Sequence, residues 1–64
     1  MRDAMSDLDH DQRIAEAVRA ACVAAAQASY EQAAADGLCD EGALEAALDA
    51  IRSLNITAIV RATP

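Results

Sequence analysis

Hydrophobic and polar positions divide this chain into one long periodic stretch, a sharp break and two shorter stretches. From Ser6 to Asp36 the pattern is helical. At about 100° per residue, Ile14, Val18, Cys22 and Ala25 run down one stripe, and Ala15, Ala26, Ser29 and Ala33 widen it. Val23 and Tyr30 lie on its shoulder, while Arg13, Glu16, Gln27 and Glu31 gather on the far side. No Gly or Pro occurs between Gln12 and Ala35, so nothing in the backbone chemistry breaks the helix. Ser6-Asp7-Leu8-Asp9 is a start signal: a Ser that can cap free amides, with acids where the helix dipole favours them. Asp36-Gly37 is a stop signal, with Gly37 suited to the left-handed position after a helix.

The break spans residues 37–42, Gly-Leu-Cys-Asp-Glu-Gly. Two glycines and two acids in six residues mark a turn, and Asp40 is placed to cap the next helix. That helix covers about 41–54. Its stripe is Leu44, Ala47, Leu48, Ile51 and Leu54, with Glu45, Asp49, Arg52 and Ser53 facing away. Asn55 interrupts the pattern. The β-branched run from Ile56 to Val60 fits a strand by composition, but a lone strand would have no partner, so a short helix over about 56–62 is expected. The architecture predicted is all-α. A long helix over about 6–36 and the returning 41–54 and 56–62 segments form one antiparallel hairpin, a single domain behind a frayed tail at 1–5.

Composition changes this picture in one respect. Of the 64 residues 18 are alanine, and only about a dozen larger apolar side chains are left for a core. Alanine favours the helix and lets another helix come close, toward the short end of roughly 8–10 Å. It contributes little burial energy. A chain this small usually needs a disulfide, a metal or a partner subunit, and a partner is the simplest of the three here. The same length and helix layout are similar to those of small dimeric helical-hairpin regulators such as the RNA-binding Rop proteins, although no motif is shared.

Charge narrows the partners. The formal net charge is −6, and the five basic residues, all Arg, are scattered singly. Nucleic acid and anionic membrane surfaces call for a basic face, so neither is expected. The acid-rich beginning does not read as a targeting signal, and no run of about 20 apolar residues is present. A cytoplasmic protein is expected.

Candidate chemistry is sparse. Cys22 and Cys39 would lie roughly 20 Å apart along the hairpin, too far for a disulfide. Cys22 reads as a small core residue and Cys39 as a buried turn residue, or else as a possible reactive thiol. Asp7, Asp9, His10 and Asp11 offer metal-ligand types, but successive helical residues point in different directions, so no metal is expected. With one His, no CxxC and no phosphate loop, catalysis is not expected either. The function expected is a non-catalytic protein–protein interaction module without a cofactor, self-associating as a homodimeric bundle. Ile14, Val18, Cys22, Ala25, Tyr30, Leu44, Leu48, Ile51 and Leu54 are the candidate interface residues. Two alternatives are a small accessory subunit docked on a larger enzyme and an acidic, antitoxin-like binder of a basic partner.

Overall fold

A computed structural model of the chain describes residues 4–64, with side chains from Asp7 onward. The described residues form three helices and no strand: α1 (Ala4–Ala35), α2 (Asp40–Arg52) and α3 (Ile56–Ala62). Helix α1 starts before the expected Ser6 cap, as Ala and Met are both good helix formers. Residues 1–3 of the expected tail lie outside the described part.

The turn after α1 is built as the sequence implies. Gly37 has φ +91°. The Leu38 amide donates to the Ala33 carbonyl at 3.0 Å and the Gly37 amide to the Ala34 carbonyl at 3.1 Å. This nested pair of bonds satisfies carbonyls that the helix end would leave open. Leu38 is about half exposed and its side chain lies against Gly42.

The cap of α2 differs from expectation by one residue. Cys39, not Asp40, holds the extended cap position, and its carbonyl accepts the Ala43 amide at 2.8 Å. A thiol is a weak acceptor, so no side chain caps this end. Asp40 and Glu41 instead sit in the first turn, where the dipole favours them. Helix α2 ends at Arg52, two residues early, since the Leu54 amide turns to the Ile51 carbonyl. Asn55 then caps α3, its Oδ1 accepting the Ala58 amide at 3.0 Å. Local capping thus settles the β-branched run as helix.

Helices α2 and α3 return along α1. Both contact α1 and neither contacts the other. Ser29 Oγ donates to the Ala46 carbonyl at 3.1 Å and joins α1 to α2. The result is one layer of helices, 56 × 17 × 14 Å, with a radius of gyration of 15.6 Å. A compact chain of this length would have a radius of about 11 Å.

The packed line is not the one that the larger side chains predicted. Among the residues with described side chains the buried ones are Ala33, Ala43 and Ala47, and Ala46, Ala50 and Leu54 are half-buried beside them. Leu44 is 54% exposed and Ile51 37%. On α1, Ala17 and Ala21 join Ile14, Val18, Cys22 and Ala25 at the contact, whereas Ala15 is exposed. Small residues hold the line because Cβ against Cβ permits the closest approach of two helices.

Two substitutions separate packing from backbone at the hairpin. Ala43→Leu inserts bulk at the most fully covered position and is expected to lower unfolding stability by about 1–3 kcal/mol. Gly37→Ala has open space around the added methyl, so its loss, about 1–2 kcal/mol, comes from the backbone alone. Urea unfolding followed by circular dichroism at one fixed protein concentration measures both. An unchanged midpoint for Ala43→Leu would show that close approach is not what joins α1 to α2.

Candidate functional site

Side chains left outside the packed line form the feature with most chemical content. The larger apolar residues that remain exposed are Leu8, Val23, Tyr30, Leu38, Leu44, Ile51, Ile56 and Val60. Several of them directly follow a covered residue: Val23 follows Cys22, Tyr30 follows Ser29, Leu44 follows Ala43, Ile51 follows Ala50 and Val60 follows Ile59. Half-buried Leu48 follows Ala47 in the same way.

That offset has a geometric consequence. One residue along a helix turns the side chain by about 100° in a fixed sense. Helices α2 and α3 face α1 and run opposite to it. A turn in the same sense along antiparallel partners carries both side chains to the same side of the layer. Val23 and Tyr30 of α1 therefore share a side with Leu44, Leu48 and Ile51 of α2 and Val60 of α3. A contact between α1 and α2 bears this out: Tyr30 Oη donates to Asp40 Oδ1 at 3.5 Å, and Leu44 and Leu48 follow Asp40 at i+4 and i+8.

The expected interface residues thus divide into two groups. Ile14, Val18, Cys22, Ala25 and Leu54 are half-buried against neighbouring helices of the same chain. Tyr30, Leu44, Leu48 and Ile51 lie on the apolar side. Sequence periodicity missed Val23, Ile56 and Val60 as members of that side. The rule that could have found them is their place one step after a small residue, or one turn from such a position in the case of Ile56.

Around this side the charges are local and solvated. Arg13 pairs with Asp9 at 4.0 Å, Arg19 with Glu16 at 3.4 Å and Arg52 with Asp49 at 2.9 Å, and all six side chains are more than half exposed. Such pairs contribute a few tenths of a kcal/mol each. The turn end is acidic, with Asp36, Asp40 and Glu41 close together in sequence, and Gln32 Nε2 donating to Asp36 Oδ1 at 3.1 Å.

Both cysteines are free thiols. Cys22 is half-buried at the packed line, and Cys39 is exposed rather than buried, because the cap position turns it out of the layer. Among the described residues no group of three or more His, Cys, Asp and Glu converges, and no pocket opens. No described helix is long and apolar enough to cross a membrane.

No family model, curated protein or solved structure matches this chain.

The two thiols should separate kinetically. With an aromatic disulfide reagent one equivalent is expected to react fast and the second slowly, and Cys39→Ser should abolish the fast phase alone. Two equal rates would place Cys22 in solvent and contradict its position at the packed line.

Proposed function

We propose that this chain is a non-catalytic helical protein–protein interaction module that associates with a second copy of itself as a homodimeric bundle. The observation that carries this reading is the mismatch between the surface exposed and the surface expected. A compact monomer of 6.7 kDa exposes about 3,900 Å², whereas this chain exposes 4885 Å². The excess is about 1,000 Å², somewhat more than the ~800 Å² that each partner covers in an interface of ordinary size.

The kind of surface supports the same reading. Buried side chains are alanines, while larger apolar ones stand in solvent on one side. Burying a side chain such as Leu or Ile fully is worth about 1.5–3 kcal/mol, so covering four or five of them would add appreciably to a structure with a thin core. A contiguous apolar side is a protein contact more often than a free surface.

Light scattering on a sizing column, in reductant and over a range of protein concentrations, tests the proposal. A mass of about twice 6.7 kDa is expected, with helicity falling as the protein is diluted. Leu44→Glu combined with Ile51→Glu is expected to give a monomer, since both side chains are exposed and their replacement creates no clash within one chain. A wild-type chain that stays monomeric and fully helical at high concentration would overturn the reading.

A further inference from the structure

We infer that the second copy docks antiparallel on the apolar side, about a two-fold axis at Leu48, with Arg19 of each copy facing the acidic turn of the other. This rests on the self-association proposed above and adds the face, direction and register.

The levels along the layer follow from contacts already described. Ser29 lies level with Ala46, so Leu48 is level with Gln27 and Asp40 with Ala35. Arg19 follows half-buried Val18 and therefore stands on the apolar side as well. It lies as far from the Leu48 level toward one end as Asp40 lies toward the other. A two-fold axis at Leu48, running in the plane between two stacked layers and across the helices, exchanges those two levels.

The same axis sets apolar residues against each other. Leu48 meets its own copy. Tyr30 comes over Val23 of the second copy, and Leu44 over Ile51. Val60 comes over the turn that carries exposed Leu38. Leu8 and Ile56 among the exposed apolar residues find no apolar counterpart in this register, Ile56 coming over the acidic turn at Asp40.

A parallel stacking is the competing arrangement, with the axis along the helices. It also sets Tyr30 over Leu44 and Val23 over Ile51. It differs in its charges. Asp36, Asp40 and Glu41 of both copies would gather at one end, and Arg19 would face Ile56 rather than an acid. Like charges in contact oppose binding, and complementary ones select register. The antiparallel order separates the two acidic turns and gives each an arginine.

Exposed Cys39 reports the direction. In a chain with Cys22→Ser, spin labels on the two Cys39 thiols should sit roughly 25–30 Å apart along the layer in the antiparallel dimer, and the labelled dimer should resist closure by a short bifunctional maleimide. Parallel stacking brings the labels to one end, and a short separation with ready cross-linking would overturn the inference while leaving self-association intact. Absence of any label–label coupling in a monomer would overturn both. As a second readout, Arg19→Glu is expected to weaken the dimer several-fold, since it sets a further acid against the acidic turn of the second copy.

Discussion

Burial of alanines where α1 and α2 meet is the constraint on which this structure depends. Ala33 on α1 and Ala43 and Ala47 on α2 are the buried residues, and they define the line along which the chain folds back. Methyl groups at that line let the two backbones approach closely. The turn is matched to that approach. Gly37 lies in the four-residue connection, 36–39, that reverses the chain, and the Ser29–Ala46 bond pins the helices about two turns along from it. A larger side chain at any of these alanines would push α2 away from the Tyr30–Asp40 contact and from the register that α3 inherits.

Choosing small residues for the inside displaces the large ones. In a single layer the interior is a line, not a volume. Only the residues on that line are covered, and here alanine holds most of those positions. Leu44 and Ile51 then have no interior to enter. The elongated shape has the same origin. A radius of gyration of 15.6 Å against about 11 Å for a compact chain is what a hairpin keeps when nothing folds over its face.

Much of the fold was legible in the sequence, and the reasons are local. Alanine content, the absence of Gly and Pro over 12–35, Gly37 after the helix and Asn55 before the third segment are all signals that act through the backbone of their own neighbourhood. The candidate site was only partly legible. Leu44, Leu48 and Ile51 form the clearest apolar stripe of α2, and periodicity assigns such a stripe to the contact with α1. Periodicity weights a side chain by its hydrophobicity, whereas close packing selects it by size. Where the two criteria disagree, as at Ala43 and Leu44, size determined the packed line and the stronger hydrophobe was left outside. Cys39 was misread for a related reason, since its exposure follows from which residue takes the cap, and the sequence favoured Asp40 for that position.

The two sides of the layer are not equivalent, and this bears on how far association would go. The large exposed apolar residues mostly stand one step after the packed line, with Arg19 among them. Residues one step before it are small or polar: Arg13 before Ile14, Gln32 before Ala33, Gly42 before Ala43, Asp49 before Ala50 and Ser53 before Leu54. A layer with two apolar sides would stack without limit. One apolar side and one polar side permit a single further layer. If that layer is a second copy related by a two-fold axis, each covers the other's exposed side and no apolar side is left to continue the stack. The same asymmetry places both polar sides outward. The net charge of −6 would then be carried mostly on surfaces that remain in water, with the acidic turns of the two copies at opposite ends.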